Sequence, residues 1–174
     1  ELYGGTRFYN LRIQGDSTTC IGDLSVRREL LLNYSLLLRQ QDTLHIDTND
    51  VNAIQGTGLI PQGTISRKIA QSDTAQYRFE SPLSYIQFDG NGTYPSSVAV
   101  TTTPYAQLSP NDGWEIAGDI VDTVQNTILA DSVTHFSKWV IGRPRPSFDA
   151  VGIADVRRLI VIEPNGGTDF RANL

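Results

Sequence analysis

The residues best suited to chemistry are few and scattered. His135-Phe136-Ser137 is the sharpest local motif, an imidazole and a hydroxyl two positions apart. Asp47, Asn49 and Asp50, and again Asn111 and Asp112, gather oxygen donors of the kind that bind Ca²⁺, which takes roughly six to eight of them. Neither group has the spacing of an EF-hand or of the glycine-aspartate repeats of secreted β-rolls. Both are read as polar turns, and no metal or cofactor is expected. His45 alternates with Leu44 and Ile46 and should point away from the core, and its separation from His135 supports no zinc pair.

Trp114, Trp139, Tyr9, Tyr34, Tyr94 and Tyr105 offer flat faces of the sort that stack on sugars. That makes a carbohydrate-binding or adhesin module the main alternative to a structural role. Their spread over several strands favours core and rim packing instead. Arg143-Pro144-Arg145-Pro146 reads as a stiff connector in preference to a docking site for an acidic or polyproline-reading partner, and Arg157-Arg158 as a solvated edge. Asn33-Tyr34-Ser35 and Asn91-Gly92-Thr93 match the glycosylation sequon and mark surface turns. The sequence has no nucleophile elbow, zinc-protease, phosphate-loop or dinucleotide fingerprint, and its carboxylates sit mostly in turns, where they shape the backbone. The chain is not expected to be an enzyme.

The elements that must position these residues are strands. Short apolar pairs recur with one residue between them: Leu11 and Ile13, Leu24 and Val26, Leu30 and Leu32, Leu36 and Leu38, Leu44 and Ile46. Each pair shares one face of a strand. Leu11 and Ile13 recur as Leu30 and Leu32, and Leu24 and Val26 as Leu44 and Ile46, a period of about 20 residues that signals a solenoid. A short parallel β-coil is expected, its Leu and Ile side chains stacked rung over rung. Glu29 to Arg39 is Leu-rich and free of Gly and Pro, as a helix would be, but Asn33-Tyr34-Ser35 interrupts it. Two strands meeting at a corner near Asn33 are favoured. The segment Ile54-Gln55-Gly56-Thr57-Gly58 should end the coil.

Beyond Pro61 the strand signals are Thr64 to Ile69, Tyr77 to Phe79, Tyr85 to Phe88, Ser97 to Thr103, Val133 to Ile141 and Leu159 to Ile162, with a hairpin turn at Asp89-Gly90-Asn91-Gly92. Trp114 to Ala130 has isoleucines and valine four apart, but Gly118 and frequent Asp, Thr and Asn favour β with a turn near Asn126. Leu159 to Ile162 is apolar on both faces and so buried.

Composition agrees. A chain of 174 residues can bury a real core, a net charge of -5 disfavours a nucleic-acid partner, and no apolar run is long enough to cross a bilayer. The single Cys20 excludes an internal disulfide. Without Met, Glu1 is expected to follow a removed or omitted segment, most simply a cut signal peptide.

The order of these patterns resembles the β-rich modules of large secreted surface proteins of Bacteroidetes-type bacteria. There, coils of the form NL-x-I…GDL-x-V…L-x-L lead into a β-sandwich with a G-x-[IV]-x-R strand, a Y-x-F-P-V-G turn and a T-H-F-S strand. Gly63, Ile65 and Arg67, then Tyr77 and Phe79, then Thr134 to Ser137 match these motifs. Glu80-Ser81-Pro82-Leu83 replaces the P-V-G turn. The tripeptide His135-Phe136-Ser137 also resembles that of self-cleaving β-sandwiches. That likeness implies Ser137 as nucleophile on the preceding carbonyl and His135 as base, cutting after Phe136; an uncut strand is preferred.

The resulting expectation is an all-β chain: a parallel β-coil (β-helix or β-roll-like) over residues 1–60, then an antiparallel β-sandwich over 61–174. The expected function is structural, in an extracellular surface or fibre assembly at a bacterial cell surface, with copies of itself or adjoining β-domains as partners. The resemblance implies a further strand after Phe170, so strand addition is expected at the termini. Leu159, Ile160, Val161, Ile162, Phe170 and Leu174 are the expected interface residues.

Overall fold

The computed structural model describes residues 1–71, 74–82, 84–104, 121–122, 127–128, 133–134, 139–141, 158–168 and 170–173. Among them are strands and one 3-10 turn, with no α-helix. The opening third winds as a coil. Strands β1 (Leu2–Tyr3), β2 (Thr6–Ile13), β3 (Thr18–Ile21), β4 (Leu24–Leu32), β5 (Leu36–Leu37) and β6 (Thr43–Ile46) follow in order. A 3-10 turn, η1 (Val51–Ala53), leads into β7 (Ile54–Gly56), and then comes β8 (Gly63–Lys68). Neighbouring rungs pair in parallel: β1 with β3 and β3 with β5 on one face, β2 with β4 and β4 with β6 and β7 on the others.

The apolar pairs read from the sequence set this register. Leu11 faces Leu30, which faces Ile54, and Leu24 faces Leu44, which faces Ile65. Each row puts aliphatic side chains over one another, and Leu24, Leu30, Leu32 and Leu44 are at most 1% exposed. Burial on this scale is the main force holding the rungs together. Glu29 to Arg39 is extended, with β4 ending at Leu32 and β5 starting at Leu36, so the corner falls at Asn33 and Tyr34 as expected.

Parallel pairing does not stop at residue 60. β8 lies parallel to β6, then antiparallel to β11 (Ser97–Pro104). β11 pairs with β16 (Arg158–Asn165), and β16 with β15 (Trp139–Ile141). One eight-stranded sheet therefore runs from the coil into the antiparallel region. A second sheet has the order β14 (Val133–Thr134), β17 (Arg171–Asn173), β10 (Tyr85–Phe88), β9 (Gln76–Arg78). The core here is aromatic: Phe88 stacks on Tyr94 at 4.6 Å between ring centroids and meets Phe170 edge-on at 5.9 Å. Val98, Val100 and Ile162 of the first sheet belong to the same buried cluster.

Two expectations are refined. Val133 to Ile141 is not one strand: β14 pairs with β17 and β15 with β16, so its two ends belong to different sheets. The stretch from Trp114 to Ala130 contains β12 (Val121–Asp122) and β13 (Thr127–Ile128), paired antiparallel, in line with the β reading; Asn126 lies outside the described residues. After Phe79, the divergent turn closes with Phe79 N–H donating to the Ser84 carbonyl at 3.0 Å.

Candidate interaction site

The coil has two ends, and its chemistry differs sharply between them. At the C-terminal end the inward row Phe8, Val26, Ile46 is continued by Arg67, not by another aliphatic residue. Arg67 is 0% exposed. Its guanidinium donates to the carbonyls of Arg78 (2.5 Å), Asp50 (2.8 Å) and Val51 (3.2 Å). The rings of Tyr77 and Phe79 lie 5.2 and 5.9 Å from its central carbon. Burial pulls its pKa down to about 10, so it remains a cation at neutral pH. A planar, delocalised cation with several donors suits this place, where carbonyls of η1 and β9 converge from different directions.

Arg78 does the same for the last rung. Its two terminal nitrogens donate to the carbonyls of Gly56 (2.5 Å) and Gly58 (2.8 Å). Burial lowers its pKa, opposed by the nearby Glu80 carboxylate. Glycine is required at both acceptors: a Cβ on Gly56 would overlap the Leu32 carbonyl, and one on Gly58 the Tyr34 carbonyl. Gly58 N–H instead reaches the Leu32 carbonyl at 2.8 Å. Ile60 N–H donates to the Glu80 carbonyl at 2.8 Å. Every one of these bonds joins coil to sandwich or closes the last rung.

The middle rungs are stitched by side chains. Asp23 accepts from Thr43 N–H at 2.7 Å, and Asp42 accepts from Gly22 N–H at 2.8 Å. Arg39 grips both Asp42 oxygens, at 2.7 and 3.0 Å, and this hydrogen bonding holds the Asp42 pKa below the usual carboxylate range.

Among the described residues, nothing comparable covers the N-terminal end. β2 and β1 are each last in their sheets, and among the described residues no strand pairs with their outer edges. Row by row, cover is lost at the first member: Leu11 is 9% exposed against 0% for Leu30. Phe8 and Leu2 are only partly buried, whereas Val26 and Cys20 beneath them are fully so. Tyr3 and Tyr9, at 65% and 63%, are the most exposed large apolar side chains among the described residues. β2 is thus an eight-residue main-chain edge beside unfinished apolar stacks. Exposed Arg7 and Arg12, with the register slip between Phe8 and Asn10, narrow the choice of strand that could add there.

Among the described residues, those singled out in the sequence are not brought together into a site. His135, Phe136, Ser137, Trp114, Tyr105, Asn111, Asp112, Arg143, Arg145, Arg157 and Leu174 lie outside the described residues. Asp50 caps η1 by accepting from Asn52 N–H at 2.9 Å, a turn-forming role. No cluster of three or more metal-ligating side chains occurs among the described residues. Tyr94 is buried in the aromatic core while Tyr9 and Tyr34 are exposed on the coil, so these three tyrosines form no common platform. Of the expected interface, β16 is bonded on both edges over Ile160–Ile162, and Phe170 is 0% exposed. β17 likewise lies between β10 and β14. Ile160–Ile162 and β17 therefore present no free main-chain edge, while among the described residues Leu159 is paired on one side only, with Thr103. Compared with known proteins, the chain matches no protein-family model, no curated protein and no solved structure.

Proposed function

We propose that this chain is a structural module of an extracellular surface or fibre assembly, of the kind its motifs resemble in bacterial secreted surface proteins. In this reading the first rung pairs its free edge with a β-strand of a neighbouring copy or adjoining β-domain. The observation that carries it is the asymmetry of the coil. One end has its carbonyls taken by Arg67 and Arg78, while at the other, among the described residues, no strand pairs with the outer edge of β2, and Leu2 and Phe8 are only partly buried. Strand addition satisfies open N–H and C=O groups and extends the apolar rows in one step.

The experiment is site-specific cross-linking combined with sedimentation. The chain's single cysteine, Cys20, is buried, and burial raises its pKa, so a Tyr9→Cys substitution supplies the one reactive thiol. Expected are assemblies that sediment above the monomer and that a thiol cross-linker traps through position 9. A chain that sediments as a monomer at every concentration, with no cross-linked product, contradicts the reading.

A further inference from the structure

A groove of about 440 Å³ lies where the outer surface of the coil meets the sandwich. Its walls include Arg27, Asp47, Asn49, Lys68 and Ser96, with Ile69 among them. The register explains the grouping. Val26 faces Ile46, which faces Arg67, so the next residues along, Arg27, Asp47 and Lys68, follow one another on three neighbouring strands. At the ordinary strand spacing of about 4.8 Å, the two cationic residues flank the carboxylate with roughly 10 Å between their backbones.

The frame of this groove is fixed, and Thr48, Gln71 and Ser96 bond to it through their side chains, while four of its polar side chains are free. Asp47 N–H is bonded to the Val26 carbonyl at 2.9 Å, Ile69 N–H to the Ser96 carbonyl at 3.1 Å, and Ser96 N–H to the Asn165 carbonyl at 3.0 Å. By contrast, the side chains of Arg27, Asp47, Asn49 and Lys68 have no hydrogen bond or ion pair with any described residue. Other polar side chains of the coil, Asp23, Asp42, Arg39 and Asp50, do bond to the protein. Four unpaired polar side chains around one concavity are placed to meet a ligand.

We propose that this groove binds a sugar bearing a single carboxylate, a uronate, independently of the strand-addition edge. Two cations offer the carboxylate charge-assisted hydrogen bonds. Asp47 and Asn49 accept from ring hydroxyls. Asp47 standing between the cations disfavours a dianion, which selects a monoanion with neutral donors over phosphate. The volume falls in the range of small-ligand clefts.

Titration of the isotope-labelled chain with glucuronate, followed by amide NMR, tests this. Saturable shifts confined to the residues around Asp47, Asn49 and Ile69 are expected, with glucose and inorganic phosphate each about tenfold weaker or more, since one charge-assisted contact is worth that factor. Lys68→Gln and Arg27→Gln should each weaken glucuronate by a similar factor. Both side chains are exposed, so neither change should alter the melting temperature. Absence of shifts at millimolar glucuronate, equal response to glucose or phosphate, or undiminished binding by both variants overturns the proposal.

Discussion

The capped and open ends of the coil are built on the same apolar rows, yet they solve the end problem in opposite ways. At the C-terminal end two buried arginines and two glycines close the stack: Arg67 and Arg78 donate to five carbonyls, and Gly56 and Gly58 let the last turn settle onto the rung beneath. At the N-terminal end the row simply begins, with Leu11, Phe8 and Leu2 less covered than their successors. The lesson is that a β-coil's repeat specifies its interior but not its ends. A cap needs residues that break the repeat, because the carbonyls they must satisfy belong to non-equivalent segments.

The largest way to break the comparison is to spoil the cap. Gly56 has φ +92° as well as a main-chain oxygen where a Cβ would sit. Gly56→Ala should therefore destabilise the chain by more than about 4 kcal/mol, or prevent folding, as read by chemical denaturation. Arg67→Ala leaves three carbonyls without their donor and opens a cavity between Tyr77 and Phe79, and about 3–5 kcal/mol is expected. Arg67→Lys should recover little of this, since an ammonium cannot reach three divergent acceptors as a guanidinium does.

A gentler comparison uses one substitution at two depths of one row. Leu30 lies between Leu11 and Ile54, whereas among the described residues Leu11 has a strand neighbour on one side only. Leu30→Ala should cost about 3–4 kcal/mol and Leu11→Ala about half as much. Equal costs would mean that the first rung is covered in solution, which sedimentation at the same concentration would reveal as assembly.

The coil was legible in the sequence because its information is local and periodic: Leu11 does face Leu30, and Leu24 does face Leu44, as their spacing implied. The cap was not. Alternation along Ile65-Ser66-Arg67 turns the arginine inward, but its acceptors lie at Asp50, Val51 and Arg78, up to 17 positions away. An inward arginine on an otherwise apolar face was the one available signal, and it was visible only as a motif match. Likewise, the uninterrupted alternation of Val133 to Ile141 carries no mark of the change of sheet between β14 and β15, which is decided by tertiary pairing with β17 and β16. The resemblance implied a further strand after Phe170, and only the pairing shows where β17 goes, between β10 and β14.

Between the ends, Asp42 gives a pH-dependent handle. Its bond from Arg39 holds its folded pKa below the unfolded carboxylate value of about 4. The stabilisation is therefore complete above the unfolded pKa and is lost as pH falls through the lower folded one. Asp42→Asn should cost about 1–2 kcal/mol at neutral pH and flatten this part of the acid unfolding profile, measured by denaturant titration from pH 6 downwards.

The smallest stability effect should come from the open end itself. Tyr9 is mostly exposed, with the Arg28 guanidinium 5.8 Å from its ring centroid. Tyr9→Lys should shift stability by no more than about 0.5 kcal/mol, yet a lysine on the edge strand disfavours pairing with an incoming strand. The two readouts therefore separate. If β2 is an edge that docks, the substitution leaves the melting curve in place and reduces sedimenting assemblies, while β2 amides, protected from exchange in the assembled wild type, become as fast as those of an uncovered strand. If assembly persists unchanged, the partner lies elsewhere, and the bare first rung is only the place where the stack begins.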